Sequence, residues 1–131
     1  MAPVLLVIDD HPQINELVRA IFVAQGYQVE TAQTSRSGLE LVRTLKPAVV
    51  LIDLKLSEPY FTGWQVIAII KNTPDLRDIP VIAFSALNMP RNINRAFSAG
   101  CDAFIGKPFS PRELVALVQE MVRTPPPAVA G

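Results

Sequence analysis

Five side chains in this 131-residue sequence are of the right types to work together on a transferring phosphoryl group: Asp9, Asp10, Asp53, Ser85 and Lys107. Each follows a short apolar run, namely Val4–Ile8, Ala48–Ile52, Pro80–Phe84 and Ala103–Gly106. If those runs are neighbouring parallel strands, all five face one cleft. Three carboxylates held close together raise one another's pKa unless a cation compensates, and Lys107 brings a single positive charge. A hard divalent cation completes such a set. A few carboxylates, with water and phosphate oxygens, suit Mg²⁺, and Mn²⁺ favours the same donors. Metal, nucleophilic carboxylate, hydroxyl and lysine together fit phosphoryl transfer to a carboxylate. Asp53 is then the acceptor, and Ser85 and Lys107 bind the phosphoryl oxygens.

Taken singly, each residue has a plainer role. Asp10 suits the cap of a following helix, and Asp53 suits an Asx turn that starts a loop. Ser85 suits a bond to its own backbone, and Lys107 before Pro108 suits a solvated loop. The placement of all of them at four separate strand ends argues for the joint role.

The elements that must position these residues alternate regularly. After Val4–Ile8, Pro12 marks a helix start, Ile14, Leu17, Val18 and Ile21 recur at helical spacing, and Gly26 closes the pattern. Tyr27–Ala32 reads as a strand. Thr34 or Ser35 caps a helix carrying Leu39, Val42 and Leu45, stopped by Pro47. Ala48–Ile52 leads to Asp53 and a loop with Ser57, Pro59 and Gly63. Helices are predicted over Trp64–Lys71 and Asn88–Ala99, the latter closed by Gly100. Ser110-Pro111-Arg112-Glu113 is a capping-box pattern opening a last helix with Leu114, Leu117, Val118 and Met121 on one face. Five strands and five helices in alternation predict an α/β fold with a doubly wound parallel sheet of order 2-1-3-4-5, whose crevice lies at the carboxyl ends of the strands.

Composition narrows the function classes. The length fits one domain, and 50% hydrophobic with 18% charged residues is a globular balance. Basic and acidic residues number twelve each, so no electrostatic hold on nucleic acid or anionic lipid is expected. Cys101 is the one cysteine; it makes no internal disulfide, and a reducing cytoplasm is the simplest compartment. The apolar run near the N-terminus is too short for a signal peptide or a membrane span. Residues 1–123 are expected to form the domain, and 124–131, with Pro125-Pro126-Pro127, an extended tail or linker start.

The motifs Val7-Ile8-Asp9-Asp10, Leu51-Ile52-Asp53-Leu54, Ala83-Phe84-Ser85-Ala86 and Phe104-Ile105-Gly106-Lys107-Pro108-Phe109, in this order, closely resemble the receiver domains of bacterial response regulators. Ala99-Gly100-Cys101-Asp102-Ala103 looks familial too, and the resemblance spans about residues 3–123. It implies a flavodoxin-like receiver fold, similar to a stand-alone chemotaxis regulator. It implies that Asp53 accepts phosphate from a sensor histidine kinase or a phosphotransfer protein, and that Asp10 ligates Mg²⁺ directly with Asp9 assisting. The backbone carbonyl of Lys55 would complete the protein ligands. Ser85 and Lys107 would bind the phosphoryl group, and Phe104 would occupy an aromatic switch position. Phosphorylation would alter a protein-binding surface on the fourth helix, fifth strand and fifth helix, with Arg91, Asn92, Arg95 and Arg112 as candidate contacts for a downstream protein. The chain would be a signalling acceptor assisting its own phosphorylation and dephosphorylation, and not an enzyme.

The sequence departs from the family pattern after Asp53, where Lys55–Thr62 is about two residues longer and brings Glu58, Tyr60 and Phe61. Leu87, two residues past Ser85, is placed to shield an acyl phosphate from water. His11, the only histidine, reads as a helix-start residue, Cys101 as a small packed residue, and Trp64 as core or loop cover. The competing function is a phosphorylation-independent docking module of the same fold. A haloacid-dehalogenase-like phosphatase fails for want of a second Asp two residues after Asp53. A flavodoxin-like cofactor role fails for want of a phosphate-cradling loop after the first strand. No output domain fits after residue 123, so the chain is expected to be a stand-alone regulator or a receiver excised from a longer protein.

Overall fold

Apolar runs that are continuous, with no polar alternation, need cover on both faces of a sheet, and they receive it. In the computed structural model, which describes residues 2–56 and 61–123, the five strands are β1 (Val4–Ile8), β2 (Gln28–Ala32), β3 (Val49–Asp53), β4 (Val81–Ser85) and β5 (Ala103–Gly106). They form one parallel sheet of order β2-β1-β3-β4-β5. The expected loop residues Ser57, Glu58, Pro59 and Tyr60 and the tail 124–131 lie outside the described residues. Helices α1 (Pro12–Val23) and α5 (Pro111–Arg123) cover one face; α2 (Ser35–Leu45), α3 (Gly63–Lys71) and α4 (Pro90–Ala99) cover the other. Strand parity sorts the core accordingly. Leu5, Val7, Val49, Leu51, Ile82 and Phe84 pack with Val18, Phe22, Leu114 and Val118. Leu6, Ile8, Val50, Ile52, Val81 and Ala83 pack with Leu39, Val42, Val66, Ile67, Ile70 and Ala96. No helix among the described residues is long and apolar enough to cross a membrane.

Register decides where the strand ends fall. Ile8 lies beside Ile52, so Asp9 comes level with Asp53. Asp53 lies beside Phe84, which sets Ser85 one step further on, and Ser85 lies beside Gly106, which sets Lys107 one step beyond that. Strand ends differ slightly from the predicted ones. Asp53 and Ser85 are the last residues of β3 and β4, because their backbones still pair across the sheet.

Helix termini follow local chemistry. Pro12 is at the start of α1, Thr34 accepts the Ser37 N–H to cap α2, and Gly100 takes a left-handed φ of 113° at the end of α4. Helix α4 begins at Pro90, later than the predicted Asn88, with Met89 as its extended N-cap. The Ser110 hydroxyl accepts the Glu113 N–H at 3.4 Å. A reciprocal capping box stands at α3, where Thr62 and Gln65 exchange side-chain and backbone bonds.

The longer loop after β3 is pinned at its far end. The Gly63 N–H donates to the Leu54 carbonyl at 3.0 Å. A Cβ on Gly63 would lie 2.2 Å from the Asp53 carbonyl oxygen and 2.5 Å from the Leu54 Cα. The first turn of α3 therefore rests directly on the backbone that carries Asp53, and only glycine permits the approach. Gly63→Ala should cost about 1–3 kcal/mol through forced overpacking, read as a lower urea midpoint. An unchanged midpoint would show that the loop has room to give.

Candidate functional site

Asp9, Asp53 and Ser85 are 0%, 4% and 1% exposed, and all three are oriented by the same local device. Each side chain accepts the backbone N–H two residues on: His11 N–H to Asp9 Oδ1 at 2.8 Å, Lys55 N–H to Asp53 Oδ1 at 3.2 Å, and Leu87 N–H to Ser85 Oγ at 3.0 Å. Such turns are the ordinary behaviour of Asp and Ser at a strand exit. Here they fix one oxygen of each carboxylate and leave the other pointing inward. Lys107 meets those inner oxygens, its Nζ lying 2.6 Å from Asp9 Oδ2 and 3.4 Å from Asp53 Oδ2. The same Nζ lies over the Phe84 ring, 4.6 Å from the centroid, and the Lys107 backbone N–H donates to the Ser85 carbonyl at 3.0 Å. The Lys107–Pro108 peptide is cis.

Asp10 does not cap α1. His11 is the N-cap residue and makes no side-chain cap bond. The His11 ring turns toward the acidic turn, with Nδ1 3.0 Å from Asp9 Oδ1 and 3.0 Å from Asp10 Oδ1. Buried Asn15 supports the turn from below. Its Nδ2 donates to the Asp9 carbonyl at 3.0 Å and to the Ala32 carbonyl at 3.4 Å, and the Asp9 N–H donates to that same Ala32 carbonyl at 3.0 Å. One donor atom each from Asp9, Asp10, His11 and Asp53 lie within 4.8 Å of one another. Carboxylates so close, two of them buried against a single lysine, are the donor chemistry of a hard divalent cation, so the residues present fit one.

A cavity of about 380 Å³ opens beside this cluster. Asp53, Ser85, Lys107, Lys55 and His11 supply its polar wall, and Ile14, Ala86 and Leu87 its apolar wall. Phe104 lies beside Ala83 in the sheet and packs, partly buried, against the core under α2–α4. The candidate surface residues do not gather in one place. Arg91 is exposed, Asn92 accepts the Trp64 indole N–H through its carbonyl at 3.4 Å, and the Arg95 guanidinium lies 4.2 Å over the Trp64 ring. Arg112 borders a groove with Ile21 of α1 and Ala24 just past its end, on the opposite face of the sheet from α4. Sequence reasoning missed the ring position of His11 and the support from Asn15. A polar residue at a helical position otherwise facing the core was the available signal for Asn15; nothing in the sequence indicates the rotamer of His11.

Residues 5–119 match the family described as the response regulator receiver domain. The chain is 32% identical over 121 residues to the DNA-binding dual master transcriptional regulator RpaA of a Synechocystis strain, an alignment covering 92% of this chain and 49% of that protein. It is 32% identical over 106 residues to the polar-differentiation response regulator DivK of Brucella anthropi, covering 81% of this chain and 85% of that one. A solved receiver domain of a signal transduction histidine kinase from Syntrophus aciditrophicus superposes with a TM-score of 0.85 at 29% identity, covering 99% of this chain and 100% of that chain. The chain spans about half the length of curated relatives such as RpaA.

Burial pushes the Asp53 carboxyl above its ordinary value; the Lys107 charge opposes this, the Asp9 charge adds to it, and the Lys55 N–H opposes it. The folded chain therefore holds a proton on Asp53 to higher pH than the unfolded chain does. The stability tied to that proton is fully present below the unfolded value and is lost as pH rises through the folded one. In metal-free buffer, Asp53→Asn should raise Tm near neutral pH, and its advantage should shrink as pH falls through the raised folded value and be gone below the ordinary carboxylate value. A neutral-pH Tm equal to or below that of the parent would refute this.

Proposed function

The chain belongs to the response regulator receiver domain family, and on that premise we propose that it is a phosphoryl acceptor of a two-component pathway, modified at Asp53. The receiver unit is residues 1–123. The observation that carries this reading is the meeting of Asp53 with Asp9, Ser85 and Lys107 at four adjacent strand ends, beside an open cavity. A carboxylate oxygen of Asp53 forms the new P–O bond while the P–N bond to the donor's phosphohistidine breaks, and the imidazole nitrogen keeps the bonding pair. Lys107 and Ser85 bind the phosphoryl oxygens, and taking up that contact draws Lys107 and the Ser85 hydroxyl from their present partners, Asp9 and the Leu87 N–H. Asp9, Asp10, Asp53 and the Lys55 carbonyl would hold Mg²⁺, or Mn²⁺ in its place. When bound, the ion supplies positive charge to the transferring oxygens.

The donor is a sensor histidine kinase or a phosphotransfer protein, and the output is a protein contact in the cytoplasm with no direct nucleic-acid role. Ser85 on β4 and Phe104 on β5, two residues apart in register, link the acceptor to α4 as a two-state shift of population. The chain acts as a signalling acceptor, with no separate substrate to turn over.

Incubation with a small acyl-phosphate donor should label the chain once, dependent on Mg²⁺, with no label on Asp53→Asn. Labelling that survives this substitution, or that proceeds in excess chelator, would remove the proposal. The apolar wall sets the lifetime of the product. Leu87→Asn should bring water to the acyl phosphate and shorten its half-life severalfold, measured by loss of label after the donor is removed. An unchanged half-life would discard the shielding role of Leu87.

A further inference from the structure

His11 is the only histidine in the chain, and its position is unusual for a residue 64% exposed at the side chain. Its N-cap location calls for no contact from the ring, since the turn is already closed by its own backbone N–H on Asp9 Oδ1. Yet Nδ1 lies 3.0 Å from Asp9 Oδ1 and an equal 3.0 Å from Asp10 Oδ1. The contact with Asp9 Oδ1 has hydrogen-bond geometry, and a second carboxylate oxygen at the same distance gives the ring nitrogen two acidic neighbours at once. Donors bound to one ion at about 2.1 Å and at right angles stand about 3.0 Å apart, which is the spacing of adjacent corners in an octahedral site. The two distances from Nδ1 match two such edges.

We infer that His11 Nδ1 is a ligand of the acidic site, making it a mixed nitrogen–oxygen centre that selects first-row transition ions such as Ni²⁺, Co²⁺ or Zn²⁺ more strongly than an all-oxygen centre does. This rests on reading the acidic cluster as a metal site. Imidazole suits these ions, whereas Mg²⁺ prefers carboxylate, carbonyl and water oxygens. The arrangement divides the labour. Asp9, Asp10 and Asp53 accept either class of ion, and His11 adds affinity for the transition ions alone. Which ion occupies the site would then follow from the supply of transition metal.

The test is calorimetric titration of the tag-free chain, parent and His11→Ala, with NiCl₂ and with MgCl₂. Removing the ligand should weaken Ni²⁺ binding by about tenfold or more, since even outer-shell partners of a metal are worth that much, and should leave Mg²⁺ binding close to the parent. Because the chain has one histidine, its ring resonances are identified without ambiguity, and Zn²⁺ should shift them well beyond the change that Mg²⁺ on the neighbouring carboxylates produces. Equal Ni²⁺ affinity in the two proteins overturns the inference. So does tighter binding of both ions by His11→Ala, which would show the ring to be a counter-cation competing with metal. Ni²⁺ binding that depends on His11, without any Mg²⁺ binding, would keep this inference and remove the Mg²⁺ assignment. Failure of the parent to bind either ion overturns both.

Discussion

Lys107 puts one positive charge within reach of two buried carboxylates at once. Asp9 is fully out of water, and an unpaired charge there would be costly to fold around. The ammonium 2.6 Å from its Oδ2 makes that burial tolerable. Much of the architecture follows from keeping this contact. Strand β5 must run parallel to β4 in a register that carries Lys107 past Ser85, and the sheet must place β1 and β3 side by side so that one lysine reaches both. The Phe84 ring under the lysine ammonium comes from the same strand that delivers Ser85. What holds the sheet edge in place and what holds the chemistry in place are the same atoms.

The plain and the functional readings of the strand-end residues turn out to be compatible for Asp53 and Ser85. Asp53 does form an Asx turn, and Ser85 does bond its own backbone. Those turns immobilise the side chains by bonding one atom of each, and the second carboxylate oxygen is thereby aimed. For Asp10 the plain reading fails, because the helix starts a residue later. Asn15 shows a further layer. A buried amide on α1 bridges the carbonyls of Asp9 and Ala32, so the acidic turn is fastened to β2 as well as to its own helix.

The sheet was legible in the sequence because β1, β3, β4 and β5 are continuous apolar runs up to their last residue, a pattern that calls for cover on both faces. The site was legible because residue type at a strand end survives translation into space without knowledge of side-chain torsions. What was not legible depends on torsions or on distant partners. The turn of the His11 ring, the stacking of Arg95 on Trp64 and the placing of Arg112 on the α1 side are rotamer and packing outcomes that no spacing rule carries. The helix predicted from Asn88 starts at Pro90 instead, and the Asn88 side chain lies near Gly106 across the loop. The capping box at Thr62 and Gln65 stands in the sequence as a Thr-x-x-Gln pattern at the end of the long loop.

Helix α4 stands apart from the other covers of its face in one respect. It buries only Ala96, while α2 and α3 each bury four residues. Its attachment to α3 relies instead on the indole of Trp64, which meets the Asn92 carbonyl and the Arg95 guanidinium. A cation–π contact at an exposed site is worth about 0.5–1 kcal/mol, and a 3.4 Å hydrogen bond adds little. This cover is therefore moored more than it is embedded. With one buried residue it has less core contact to lose in a displacement than α2 or α3 has.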